Sequence, residues 1–568
     1  MKHGRVAGVQ AARALRALEQ RLSVYGGTAA GEKRRLLAEL GTVRFGRAKQ
    51  LAALQRAVCF LSAFADDHAV HRTARRVADG FAERVARLPK EERERLDDSG
   101  AAGSLTRHHY AATAARWMQQ RFAGAADVDW KADGTAEALA ALITPWLQPM
   151  EAEAVDLSPV RLRRWLAQAN GGRGSDLAWL LAQAGSGAAR HEFDLAFDAA
   201  EVPLAWRLDD RSGISGNALR GPIEPRADGM RRASGDARSA LLQPIEVERL
   251  PRRSAARLLD VWRAALWSRT RTVLQIEQPN LDECYLADFG AGLKFAAIGV
   301  LAARRGPLET TYGHLLLANG MPIGYGGFTT LFAQVNTGIN VFPEFRGSEA
   351  AFAFQQALRV MHALTGNVRF IVNPYQFGAG NDEALRSGAY WFYYRLGFRS
   401  AGTAVRALAE KEFARLRAGR GYRVPIATLR RLAACDIHLD LADDAGEKFF
   451  DEAWLEHLGA GISAAIAREG MASRADALAS MTKRIAARLG VRPSAWTAAE
   501  RNGFAQFAPI LAQIDDLADW PQADRDALAG LVRARWATQQ RDFIAGMRGH
   551  DRLRAALARA AMRRADQP

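Results

Sequence analysis

Apolar residues recur at three- and four-residue spacing from Val9 to about Leu195, in a segment made largely of Ala, Leu and Arg. That period predicts amphipathic helices throughout the stretch, broken at the Gly-Gly pairs 26–27 and 171–172. Leu51, Leu54, Val58, Leu61 and Ala65 form one such stripe, able to bury one helix face against its neighbours. From about Arg207 to Gln243 the pattern dissolves into DDRSGISGNALRGPIEPRADGMRRASGDARS, which reads as a linker or mobile loop. Helical texture returns from about Glu410, punctuated by Pro493, Pro509 and Pro521, and ends in the basic run RLRAALARAAMRR. No fixed-period repeat is present. The expected organisation is a helical N-terminal region at 1–206, a linker at 207–243, a mixed α/β domain at 244–409 and a helical C-terminal region at 410–568. Essentially no strand is expected before Gln243 or after Glu410.

The mixed region carries the β-rich pieces HLLLANG (314–320), PIGYGGFTTLFA (322–333) and GINVFP (338–343). The first two read as antiparallel strands joined at Asn319-Gly320, a strong hairpin signal. After GINVFP come the turn EFRGSE and a helix from about Ala350 to Leu364, with Phe354, Leu358, Met361 and Leu364 on one face and Gly366 past its end. VRFIVNP reads as a further buried strand, and Ala389–Leu396 as a short helix closed by Gly397. A strand, a crossover helix and a second strand should lie side by side and parallel. Helices are expected on both faces of this sheet, with a V-shaped opening between the GINVF and VRFIV strands.

Composition adds little to this outline. The 568 residues are 49% hydrophobic and 25% charged, as in ordinary globular proteins, and their number suggests about three or four domains. Cys59, Cys284 and Cys435 are scattered and in no metal-ligand spacing, which argues for a reducing compartment. With no signal-peptide core and no run of 18 apolar residues, the expected location is cytoplasmic, with no membrane partner. The formal charge of +16 invites a polyanion, yet 69 of the 78 basic residues are Arg in an Ala-rich chain, and many are interleaved with acids as in EERERLDD. Nucleic acid is therefore an alternative partner and not the favoured one.

Several constellations resemble sites and reduce to ordinary surface. Asp66, Asp67, His68 and His71 sit where an apolar stripe meets a basic run, so no metal is expected there. His108 and His109 are adjacent and point apart. GISG at 213–216 lacks the spacing of a nucleophile elbow, and GAG at 290–292 and 378–380 lacks the third Gly of a dinucleotide fingerprint.

The strand, Arg-Gly turn and helix at 338–364 form a device for holding phosphates, because first-turn N–H groups are unpaired and the helix dipole is positive there. With the hairpin before it and YYRLGF after it, the segment resembles the GNAT superfamily of N-acyltransferases, and the resemblance covers about a quarter of the chain. Against that family's turn Q/R-x-x-G-x-G/A, Arg346 matches the basic residue and Ala351 the final small one. Ala389, Tyr393, Gly397 and Phe398 match the closing motif A-x-x-x-Y-x-x-x-G-F. The resemblance implies an acyl-CoA donor, acetyl-CoA or another, lying along Val341, Phe342, Arg346, Gly347, Ser348, Ala350 and Ala351. It further implies Tyr393 as the acid that protonates the departing thiolate, and Asn373 at the end of the strand beside the thioester.

Glu344, Glu309 and His314 are candidates to take the acceptor's proton, and the acceptor is a small-molecule or peptide amine. The chain departs from the family at Glu349, a carboxylate where the turn's first Gly belongs. A donor pyrophosphate requires Glu349 to point away toward an Arg and leave the N–H groups of Gly347, Ser348 and Ala350 free. A carboxylate folded over them would act as an internal phosphate mimic that the pyrophosphate must displace, and a turn too spoiled to bind CoA would favour a donor aminoacylated on transfer RNA, or a non-catalytic scaffold that binds a protein partner.

Overall fold

The computed structural model describes residues 2–155, 159–172, 174–419, 421–442 and 449–565. The apolar stripe at Leu51–Leu61 lies in helix α1 (Ala48–Ala63), which is buried on nearly every side and not on one face alone. Ala53, Cys59 and Phe60 are as sequestered as the stripe itself, and Ala65 is buried just beyond the helix end.

The flanks are not free of strand. β1 (Leu105–His109), β2 (Ala126–Val128) and β3 (Pro203–Arg207) form a small antiparallel sheet in the order β1-β3-β2. LTRHH, ADV and PLAWR are too short to show a two-residue period, and β1 and β3 are nearly a hundred residues apart, so pairing and not local pattern makes them strands. The expectation of all-α flanks is corrected a second time by a strand after Glu410, which joins the central sheet.

That sheet contains β4 (Glu248–Arg249), β5 (Pro279–Asp288), β6 (Leu293–Val300), β7 (Thr310–Ala318), β8 (Met321–Leu331), β9 (Gln334–Val341), β10 (Arg369–Val372), β11 (Arg399–Ser400) and β12 (Ile437–Asp440). Its spatial order is β11-β12-β10-β9-β8-β7-β6-β5-β4. From β4 to β9 the strands are antiparallel neighbours in chain order. Asn319 and Gly320, with φ of +48° and +77°, close the two-residue turn from β7 to β8 as expected. Helix α3 (Ala350–Thr365) then crosses over and brings β10 parallel to β9. β12 enters between β10 and β11, antiparallel to both.

Helices pack on both faces. A side chain at Gly313 would strike Gln275 and Trp262, the latter on helix α2 (Arg252–Trp267), whereas the neighbouring Tyr312 hydroxyl donates to Glu283, which in turn accepts from Gln540 of the C-terminal region. The N-terminal helices and the central sheet share one apolar core that includes Leu54, Trp206, Trp262, Phe295 and Phe354. A second core, including Phe504, Phe507 and Leu557, lies within the C-terminal helices.

Irregular as its composition suggests, the segment 207–243 is nevertheless held closely. Ile214 and Arg226 are buried, Leu219 N–H donates to Gly320 O at 2.9 Å, and the Asn319 amide bonds both Ala63 O and Glu224 O at 3.0 Å. No helix among the described residues is long and apolar enough to cross a membrane.

The C-terminal helices are fastened by buried charge. Glu283 accepts from Tyr312 and from the Gln540 backbone at 2.6 Å and pairs with Arg305 at 3.2 Å. Arg305 also donates to Ala537 O and Thr538 O. Removing one partner of such a cluster strands the rest, so Glu283→Ala should lower stability by about 3–5 kcal/mol in urea unfolding, and Glu283→Gln by less.

His314 is fully buried, stacked on Phe295 at 5.2 Å, with neither ring nitrogen hydrogen-bonded; burial pushes its pKa down to about 3. The unfolded chain therefore binds a proton that the folded chain refuses. This contribution to stability is complete above about pH 6.5 and shrinks by about 1.4 kcal/mol per unit as the pH falls toward 3. Replacing the ring by His314→Leu should flatten that acid limb relative to the parent in unfolding curves measured across the window.

Candidate functional site

The ladder between β9 and β10 holds for only three residue pairs, ending at Asn336 and Ile371. Beyond it the strands part, and β9 runs on through Thr337–Val341 without a partner on that side. Tyr393, on the short helix α5 (Ala389–Arg395), fills the place of the missing strand: its hydroxyl accepts the Ile339 N–H at 3.5 Å. The other rings of YWFYY have structural partners. Tyr390 bonds Ser400 Oγ at 2.7 Å, Trp391 stacks on Phe413, and Tyr394 lies beneath the Arg399 guanidinium. Tyr393 brings a hydroxyl to the split, beside the apolar ring of Phe392, and burial holds its phenol well above the usual range, so it stays protonated.

At the mouth of the split stands the turn before α3. Pro343–Phe345 forms a single 3-10 turn and Gly347 takes φ +83° with open space around its α-carbon. The N-terminus of α3 has no side-chain cap, and the N–H groups of Ala350, Ala351 and Phe352 find no acceptor among the described residues. Ser348 is different. Its N–H donates to Phe345 O at 3.2 Å, so one of the three groups expected to be free is already engaged.

Glu349 points away from this turn. It is 1% exposed, with Arg226 at 3.1 Å and Arg231 at 3.0 Å, and it also accepts the Arg231 backbone N–H at 3.0 Å. Both arginines come from the irregular segment 207–243, which packs behind the helix end. Arg346, by contrast, lies outside and pairs with Glu383 of helix α4 (Asp382–Ser387). Both of those side chains are more than half exposed, so their pairing is weak and exchangeable.

Three cavities meet on β9. The first, of about 400 Å³, is lined by Val341, Arg346, Gly347, Ala350 and Tyr393, bringing together most of the residues expected to hold a donor. A second, of about 240 Å³, contains Asn373 with Thr337, Gly338 and Gln376; the Asn373 Oδ1 is buried there without a hydrogen bond. Glu344 and Phe342 line a third, of about 360 Å³. Asn340 borders all three. Ser348 and Ala351 border none of them, and Ala351 packs against the core.

Two of the proposed bases lie elsewhere. His314 sits within the sheet, and Glu309 is at the start of β7, where Arg535 bonds its carbonyl and burial raises its carboxyl pKa. Glu344 is held by Arg269 at 3.3 Å.

The constellations set aside have ordinary roles. Asp66 pairs with buried Lys33 at 2.8 Å, Asp67 caps the helix beginning at His68, and His71 Nδ1 meets Ser62 O. No group of three or more His, Cys, Asp or Glu among the described residues is placed to hold a metal ion.

Sequence reasoning missed Asn340, Gln376, Glu383 and Phe392, all of which line the first cavity. For Gln376 and Glu383 the signal was the length of NPYQFGAGNDEALRSG, which is α4 and its approaches, whereas Asn340 lies in β9 and Phe392 in α5. Comparison with known proteins gives no match to a family model, to a curated protein or to a solved structure.

Proposed function

We propose that this chain is an N-acyltransferase that moves an acyl group from an acyl-CoA thioester to an amine. The observation that carries the reading is Tyr393: a buried, protonated hydroxyl, lodged in a split between parallel strands, a short distance along one cavity from an uncapped helix N-terminus. In this reading the donor's phosphates meet the N–H groups of Ala350 and Ala351 and the Arg346 guanidinium, which exchanges Glu383 for them. The thioester lies along the unpaired edge of β9, whose backbone N–H groups polarise its carbonyl.

The amine nitrogen bonds to the carbonyl carbon and the carbon–sulfur bond breaks. The thiolate takes its proton from the Tyr393 hydroxyl, whose own acceptor role toward Ile339 leaves that proton free to give. Of the three candidates for the amine's proton, Glu344 is the one beside the cavities. Glu349 bound to Arg226 and Arg231 supports the CoA thioester over a transfer-RNA donor or a scaffold, since its carboxylate does not cover the turn.

Calorimetric titration with acetyl-CoA should show saturable binding. Tyr393→Phe should keep that affinity while thiol release in the presence of mixed amines falls by about 10²–10⁴-fold. Absence of acetyl-CoA binding, or a Tyr393→Phe variant at full rate, overturns the reading.

Because Glu349 neutralises the buried guanidinium of Arg226 and the half-buried one of Arg231, Glu349→Gly should cost about 3–5 kcal/mol in urea unfolding. Glu349→Gln should cost less and leave acetyl-CoA affinity within about threefold, because the carboxylate does not cover the turn.

A further inference from the structure

The cavity of about 360 Å³ beside the turn is lined by Phe342 and shares the wall formed by Asn340, Val341 and Arg346 with the cavity that would hold most of the donor. Its size is at the lower end for small-molecule sites. Its charges are not all satisfied internally. Arg269 is paired with Glu344 and lies 4.0 Å over the Phe342 ring, and Arg346 is paired with Glu383. Arg271 donates no side-chain hydrogen bond and makes no ion pair among the described residues, and its charge acts on Glu383 and Tyr325 of the same cavity only at longer range. Asp98, also in the lining, accepts the Arg107 N–H at 2.7 Å through one oxygen and leaves the other without a hydrogen bond among the described residues. The cavity thus carries a cation without an ion pair and a carboxylate oxygen without a hydrogen bond, both solvent-exposed, beside the stacked rings of Tyr325 and Phe342.

The backbone along this lining is held in an unusual conformation. Helix α2 ends with Arg271 N–H on Leu266 O and Thr270 N–H on Trp267 O, and the residue that turns the chain is Thr270 at φ +53°. Glycine is the usual occupant of that position, and a β-branched residue is strained there. The turn sends Arg269 and Arg271, on either side of Thr270, to the same cavity. Asp98, which lines the same cavity, is also left-handed at φ +60°, a conformation that Asp tolerates better than a β-branched residue does. A β-branched residue held left-handed between two arginines that line one cavity marks a place where the direction of side chains matters more than local stability.

We propose that this cavity is the acceptor subsite of the acyltransferase and that it takes an α-amino acid, with Arg271 receiving the carboxylate and Asp98 facing the amine. The assignment rests on the acyltransferase reading for the word acceptor. The pairing of a free guanidinium with a free carboxylate oxygen is its own argument for a zwitterion. A polyamine would set cations beside Arg269 and Arg271, and a nucleic-acid phosphate would lie beside Asp98 and Glu344.

Binding can be read without any donor. The full chain is titrated with a pool of the twenty amino acids and with a pool of their carboxamides, following thermal midpoint and equilibrium dialysis. The acids should bind at least tenfold more tightly than the amides. Arg271→Ala should abolish that difference while leaving the ligand-free midpoint unchanged, because Arg271 is exposed. Asp98→Asn should weaken the acids without restoring the amides. An equal response to acids and amides, or an Arg271→Ala variant that still prefers acids, overturns the proposal. So does an Arg271→Ala variant that loses affinity for acetyl-CoA but not for its 3′-dephospho form, which would assign the guanidinium to the donor. Amino acids that bind while acetyl-CoA does not would leave the cavity assignment standing and remove the acyltransferase reading instead.

Discussion

Glu349 is almost wholly removed from water, and a carboxylate in that position persists only because two guanidiniums reach it from the far side. The arrangement ties distant parts of the chain together. Arg226 is itself buried, lies over Phe64 next to the end of α1, and its backbone N–H is held by Ala65 O at 2.8 Å. The N-terminal helices therefore seat the irregular segment, the irregular segment draws Glu349 backward, and the front of the α3 turn is left bare. A flank that carries no motif of its own governs in this way whether the motif in the middle is accessible.

Much of the central architecture was legible in the residues. The Asn-Gly hairpin, the α3 crossover with Gly366 at its left-handed end, and the adjacency of β9 and β10 all follow from patterns a few residues long. What could not be read depended on partners far away. The register of β1 on β3 and the insertion of β12 beside β10 are settled by surfaces that do not exist until the chain has collapsed.

The same division runs through the site. Tyr393, Arg346, Gly347 and Ala350 could be named because a spacing marks them, and they converge on one cavity. Asn340, Gln376 and Arg271 could not, since an amide or a guanidinium resembles any other until its surroundings are known. Glu349 shows the limit most clearly: its identity posed the question of whether the turn was blocked, and only the position of Arg226 and Arg231 answered it.

The place of β12 has a consequence for the order in which the molecule can be made. β10 ends at Val372, and the strand that covers its open edge begins at Ile437, 65 residues later. At roughly 5–20 residues per second of synthesis, that edge waits on the order of 3–13 seconds on a ribosome before its neighbour exists. β11, at Arg399–Ser400, appears in the interval but bonds only to β12, so it cannot shield β10 alone. Through those seconds the apolar stretch of β10, Phe370 to Val372, presents bare backbone groups to whatever is nearby, and the nascent chain is open to joining another copy.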